Sequence, residues 1–200
     1  MLKFQHNDSD GGHTLQRELA VMKKLHQNPA TGTMYLLKPV EGIEDVVGVT
    51  AILTTYYELN LKHASIFHYW KDKEAPIKRL AKGLCHGLHH MHQRGFAHRD
   101  IKPDNILLQN VEGDPVIIDF GLSNATKPGA GTSKYLAPEQ KRGDKGELKG
   151  TEWWIVNGWD QRLFDSYSLG IVLDNCFKGH VTPPPLAQDF ISKLMKRDAR

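Results

Sequence analysis

His98-Arg99-Asp100-Ile101-Lys102-Pro103-Asp104-Asn105 sets a carboxylate (Asp100), an ammonium (Lys102) and an amide (Asn105) within six consecutive positions. Asp119-Phe120-Gly121 follows, and then Ala137-Pro138-Glu139. The Pro and the polar residues on either side mark the first stretch as a loop. A carboxylate that orients a hydroxyl, a cation that neutralises charge and hard oxygen ligands for magnesium are the set that phosphoryl transfer needs.

Composition narrows the alternatives. The 200 residues suit one domain or two small lobes sharing a core. A hydrophobic fraction of 40% and a charged fraction of 24% are those of an ordinary globular protein. The net charge of +3 is weak and its basic residues are scattered, so a nucleic-acid partner is not indicated. No run approaches the roughly 20 apolar residues of a membrane span, and no signal peptide is visible. The two cysteines, Cys85 and Cys176, lie in apolar helical patterns and read as free thiols. Together these features point to an intracellular chain, cytoplasmic or nuclear, with no membrane partner and its oligomeric state open. His86, His89, His90 and His92 cluster beside Leu88 and Met91, and no cysteine or carboxylate set joins them. They read as a packed or solvated helix face rather than a metal site.

The pattern outside the loop is mixed α and β. Met1–Gln5 reads as the end of a strand, and Asn7–Gly12 as a loop. Thr14 reads as the cap of a helix with Leu15, Leu19 and Met22 on one face. Met34–Val40 and Val47–Thr55 read as strands joined by a turn near Glu41-Gly42. Residues 60–71 look weakly helical. Ile77, Leu80, Ala81, Leu84, Leu88 and Met91 follow helical spacing, ended by Gly95. Short strands are expected at Ile106–Leu108 and Val116–Ile118. Residues 121–161 show no period. Helices are expected at 162–177 and 186–197, with Pro183-Pro184-Pro185 as a linker.

With these motifs in this order, the chain resembles the eukaryotic protein kinase family, serine/threonine type, over nearly all its length. Gly131-Thr132 before Ala137-Pro138-Glu139, and Asp165-Ser166-Tyr167-Ser168-Leu169-Gly170, belong to the same pattern. The resemblance implies an α+β, bilobal fold with a reduced β-sheet N-lobe, residues 1–59, and a mainly helical C-lobe, residues 60–200. It implies ATP and Mg2+ as partners, and a protein bearing Ser or Thr as substrate. Asp100 is then the catalytic aspartate and Lys102 its loop lysine. Asn105 and Asp119 are the magnesium ligands, and Lys3 contacts the ATP phosphates while pairing with Glu18. Phe120 is expected to pack beneath the Glu18 helix. Arg99 is expected to meet a phosphate on Ser123 or Thr126, and Thr132 to sit beside Asp100. Asp165 supports the loop backbone. Thr54–Glu58 form the hinge to adenine, with Leu53 or Thr54 as gatekeeper.

The chain also departs from that pattern. No Gly-x-Gly-x-x-Gly precedes Lys3, so an N-terminal truncation is expected. Glu139 is expected to lack its late arginine partner. Trp153, Trp154 and Trp159 lie in a long insertion and are expected to pack over the C-lobe. The expected activity is ATP-dependent phosphorylation of a protein hydroxyl. The alternative is a weak or inactive kinase-like fragment acting as a scaffold.

Overall fold

A computed structural model describes residues 1–6, 12–46, 49–63, 69–124, 130–142, 155–156, 159–178 and 181–196. Strand β1 (Leu2–His6), β2 (Pro39–Val46) and β3 (Val49–Thr54) form an antiparallel sheet in the order β1-β3-β2. Strand alternation splits this sheet into two faces. Opposite residues Lys3, Ile52 and Gly42 share the inner face, whereas Leu2 and Phe4 are exposed on the outer one. Helix α1 (Gly12–His26) covers the inner face with Leu15, Leu19 and Met22 buried.

A three-ten helix, Thr31–Tyr35, leads from α1 back toward the sheet and lies on α2 (Glu74–Gln93). Its approach is close enough to exclude a side chain at Gly32. A Cβ there would stand 2.4 Å from the His86 carbonyl oxygen and 2.5 Å from His90 Cβ. His90 Nε2 donates to the Leu25 carbonyl at 2.9 Å, and its Nδ1 accepts from Arg94 Nη1 at 3.2 Å. Both ring nitrogens are thereby used, and the end of α1 is fastened to α2.

The second layer is mainly helical. Strand β4 (Leu59–Asn60), β5 (Ile106–Leu108) and β6 (Pro115–Ile117) make a small antiparallel sheet beside α2. A three-ten turn, Pro103–Asn105, precedes β5. Then come α3 (Pro138–Arg142), the pair β7 (Ile155–Val156) and β8 (Trp159–Asp160), α4 (Gln161–Phe177) and α5 (Pro185–Leu194). The two layers join where Leu36 bridges Ile117 and Leu37 N–H donates to the Ile117 carbonyl at 2.9 Å. One apolar cluster runs from Leu19 and Met22 through Ile52 and Phe120 to Leu84, Ile106 and Leu173. The fold is therefore the expected bilobal α+β arrangement.

Several local expectations are corrected. Gly42 is not a turn but lies within β2, where a Cβ would stand 2.6 Å from Leu19 Cδ1. The glycine serves helix–sheet approach there, and residues 34–38 hold the three-ten helix and a connector instead of a strand. Strand β2 runs to Val46 and β3 begins at Val49, and residues 47–48 of the expected second strand lie outside the described residues. Thr14 lies inside α1 and is not its cap. An early helical N–H, that of Leu15, is met by Gln5 Oε1 of β1 at 3.2 Å, so a neighbouring strand supplies what a cap would. Of the weak helix expected over 60–71, Asn60 is in β4 instead, Tyr69 and Trp70 are helical, and residues 64–68 are outside the described set. Pro185 opens α5 instead of linking to it, as an N1 proline can. Of the loop expected at Asn7–Gly12, Gly12 opens α1, and residues 7–11, like Trp153 and Trp154, lie outside the described residues.

Gly32→Ala is expected to lower stability by about 1–3 kcal/mol, because the obstruction is backbone that cannot rotate away. Urea unfolding checks this through a lower midpoint at an unchanged slope.

Candidate active site

The cleft between the layers is built from several pieces of chain. From β1, Lys3 Nζ reaches Glu18 Oε2 at 2.5 Å and Asp119 Oδ1 at 3.8 Å. Glu18 is buried on the inward face of α1, where helical spacing sets it beside Leu15 and Met22. The fifteen-residue separation of Lys3 and Glu18 is thus closed as the sequence suggested. A cavity of about 280 Å³ lies here, lined by Lys3, Glu18, Thr54, Asn105 and Asp119 among others. Thr54 is buried against it, whereas Leu53 is exposed on the outer face. Of the two gatekeeper candidates, only Thr54 faces the cavity.

Asp100 occupies the loop between α2 and β5. Its Oδ1 accepts from Thr132 N at 2.8 Å and Thr132 Oγ1 at 2.7 Å. Its Oδ2 accepts from Asn105 Nδ2 at 3.1 Å and Lys102 Nζ at 2.7 Å. A carboxylate has about four acceptor positions, so a substrate hydroxyl would replace one of these donors. Burial pushes the Asp100 pKa up, but the hydrogen bonds from Lys102 and Thr132 outweigh it and leave the net value below the usual range. The group is an anion at neutral pH, suited to orienting a hydroxyl.

Asn105 spends its amide N–H groups on Asp100, on both the carbonyl at 2.9 Å and the carboxylate. Its amide oxygen is the part left to meet a cation. Asp119 holds φ at 65°, a left-handed conformation uncommon for a non-glycine residue. One amide oxygen and one carboxylate are hard donors fit for Mg2+, which takes one or two protein ligands and completes its octahedron with phosphates and water. No group of three or more His, Cys, Asp or Glu forms a metal site among the described residues. The four clustered histidines have separate surroundings instead: His90 is buried, His89 exposed, and His86 and His92 half-buried.

The loop is held from behind by α4. Asp165 is buried, and its carboxylate accepts from His98 N, Arg99 N and His92 Nε2, each at 2.8 Å. Burial pushes its pKa up, yet these donors and the nearby His92 and His98 rings hold it below the usual value. His98 Nε2 donates to the Ile118 carbonyl at 3.0 Å, and its Nδ1 accepts from Asp100 N at 3.2 Å. The His98 ring stands edge-on to buried Phe120 at 5.7 Å. The loop and the Asp119-Phe120-Gly121 turn are therefore one connected piece.

Other expectations fare differently. Arg99 is buried against Gln161 and Phe164 of α4. Ser123 is only 1% exposed, so it is shielded from modification, and Thr126 lies outside the described residues. Glu139 is half-buried and makes no ion pair among the described residues. Both cysteines are free, and burial pushes the Cys176 thiol up to about 12. Sequence reasoning missed the His92 bond to Asp165 and the Gln161 bond to Arg99. Both depend on how α4 crosses the loop, which no local spacing encodes. Among the described residues no helix is long and apolar enough to cross a membrane.

A family model described as a protein kinase domain matches residues 1–198. The chain is similar to serine/threonine-protein kinase AtPK2/AtPK19 of Arabidopsis thaliana, 34% identical over 97 residues, 46% of this chain and 20% of that protein. It is similar to a probable myosin light chain kinase of Dictyostelium discoideum, 33% identical over 168 residues, 79% of this chain and 42% of that protein. It is also similar to protein kinase domain-containing protein ppk9 of Schizosaccharomyces pombe, 26% identical over 215 positions, 98% of this chain and 38% of that protein. The chain thus spans between 20% and 42% of the length of these curated relatives.

Asp165 has a lowered folded pKa, so its stability contribution is present above the unfolded value of 3.8 and is lost as pH falls through the lower folded value. Asp165→Asn is expected to unfold about 1–3 kcal/mol more easily at pH 7, with the deficit shrinking below about pH 4. Denaturant titrations between pH 7 and 3 check both halves.

Proposed function

This chain belongs to the protein kinase family, and we propose that it transfers the γ-phosphate of ATP to a serine or threonine hydroxyl of a protein. The observation that carries this reading is the Asp100 constellation, in which Lys102, Asn105 and Thr132 converge on one ionised carboxylate beside Lys3 and Asp119. Residues 1–59 supply the upper wall of the cleft and residues 60–200 the lower one.

In this proposal ATP lies in the cavity lined by Thr54 and Lys3, with the Lys3 ammonium on its phosphates and Glu18 aiming that ammonium. Asn105 and Asp119 hold Mg2+, which neutralises phosphate charge when bound. Asp100 orients the substrate hydroxyl toward the γ-phosphorus. The new O–P bond forms as the bond to the β-phosphate oxygen breaks; ADP leaves, and the hydroxyl proton passes to Asp100. Lys102 lies 2.7 Å from Thr132 Oγ1 as well as from Asp100, so it can follow charge as it moves onto the phosphoryl group. Lys102 in this loop is what supports serine/threonine over tyrosine as acceptor.

A second reading is a weak or non-catalytic scaffold. It is favoured by the openness of the phosphate end of the cleft, where the Lys3 and Asp119 side chains are 45% and 47% exposed. Water there weakens every charge interaction the transfer relies on.

The two readings part in a phosphotransfer assay with Mg2+, ATP and Ser/Thr-containing protein acceptors. Phosphoserine or phosphothreonine is expected, with kcat reduced about 100-fold or more in Asp100→Asn. Absence of any transfer by the wild-type chain selects the scaffold.

A further inference from the structure

Asn124 has a partner for its main-chain N–H, its main-chain carbonyl and both ends of its side-chain amide. Three of these bonds go to one short stretch of chain. The Asn124 N–H donates to the Ala97 carbonyl at 3.0 Å. Its Oδ1 accepts from the Ala97 N–H at 2.8 Å, and its Nδ2 donates to the Gly95 carbonyl at 2.7 Å. Its own carbonyl accepts from Arg17 Nη2 of α1 at 3.4 Å. Ala97 thus exchanges two bonds with Asn124 as it would with a paired strand, and a side-chain oxygen stands in for one main-chain carbonyl. Asn124 holds φ at 56°. Asparagine tolerates that left-handed conformation better than most residues, because its short polar side chain hydrogen-bonds locally.

Asn124 follows Asp119 in the chain, and Ala97 precedes Asp100. The segment from Ile118 to Asn124 is therefore fastened at both ends to the residues that enter the Asp100 loop. At one end the Ile118 carbonyl accepts from His98 Nε2 at 3.0 Å. At the other, Asn124 closes on Ala97. Between the two fastenings, Phe120 is buried and its carbonyl accepts from Ser123 N at 3.0 Å. Asp119 is held more loosely. Its side chain is half-exposed, Gly121 N donates to its Oδ1 at 3.4 Å, and Lys3 Nζ stands 3.8 Å away. Its φ of 65° is left-handed as well. A non-glycine residue keeps such a φ where the surrounding structure fixes it, and here the fastenings on either side do so.

We propose that Asn124 is a positioning residue: its side-chain amide closes the Asp119-Phe120-Gly121 turn onto the chain entering the Asp100 loop, and so sets where the Asp119 carboxylate stands. The link to Mg2+ rests on reading the chain as a phosphotransferase with Asp119 as a metal ligand; the clamp itself does not.

The test uses the full chain. Hydrogen exchange is followed in peptides covering residues 95–98 and 119–124, with α2 as the internal control, and ATP binding is measured by calorimetry with and without Mg2+. In the wild type, the Ala97 amide is expected to exchange at least about 100-fold more slowly than in an unstructured chain. Asn124→Gly accepts the left-handed φ without steric cost and removes both side-chain bonds. It is expected to speed exchange about 10-fold in both peptides and to leave α2 unchanged. It is also expected to weaken ATP binding about 10-fold in Mg2+, while binding without Mg2+ stays within about twofold. Asn124→Ala is expected to lose at least as much, because it adds backbone strain.

Wild-type protection of both peptides in Asn124→Gly overturns the proposal; if Asn124→Ala alone loses it, the residue serves backbone conformation only. An unprotected Ala97 amide in the wild type overturns it whether or not the variants fold. So does faster exchange at 95–98 with the 119–124 peptide unchanged, or an equal loss throughout α2, which is instability rather than positioning. If Asn124→Gly loosens both peptides while the wild type binds ATP no better with Mg2+, the positioning role stands and the metal-dependent phosphotransferase reading falls.

Discussion

The Asp165 carboxylate is the constraint on which the cleft depends. An ionised carboxylate enclosed by protein is costly unless it is fully hydrogen-bonded. Asp165 meets that cost with two backbone N–H groups from His98 and Arg99 and the His92 ring. Those donors come from α2 and the loop, and the acceptor from α4. A single buried charge thus fixes where three parts of the chain meet, and it does so at the residues immediately before Asp100. From there the order propagates. His98 carries it to Ile118, next to Asp119, and Thr132 returns the later segment to Asp100.

The upper layer contributes by a different route. Lys3 lies on an edge strand and is half-exposed, so alone it would be a mobile cation. Buried Glu18 limits it, and α1 holds Glu18 through apolar contacts of Leu15, Leu19 and Met22. The far end of α1 is fastened to α2 by the His90 bond to the Leu25 carbonyl. The position of the Lys3 ammonium therefore depends in part on a buried histidine of α2.

The site was largely legible in the sequence because its chemistry is local. Asp100, Lys102 and Asn105 sit within one loop, and Asp119 follows β6, which pairs with β5, the strand that leaves that loop. Lys3 and Glu18 were legible for a weaker reason, a spacing that fits one strand, a loop and a helical turn. The fold was less legible where one residue type can serve two ends. Gly42 looks like a turn glycine, but the close approach of Leu19 explains it better. Thr14 looks like a cap, yet Gln5 of β1 does the capping of a neighbouring N–H. Gln161 and His92 carried no signal, because each acts across a helix crossing that exists only in three dimensions.

Lys3, Asn105 and Asp119 are proposed to form one site for a magnesium-bound nucleotide. Isothermal calorimetry of ATP against the wild-type chain, with and without Mg2+, tests it most directly. Saturable binding that strengthens with Mg2+ is expected, with that Mg2+ dependence lost in Asp119→Ala. No heat with Mg2+ and ATP, or an Mg2+ dependence that Asp119→Ala leaves intact, would contradict it.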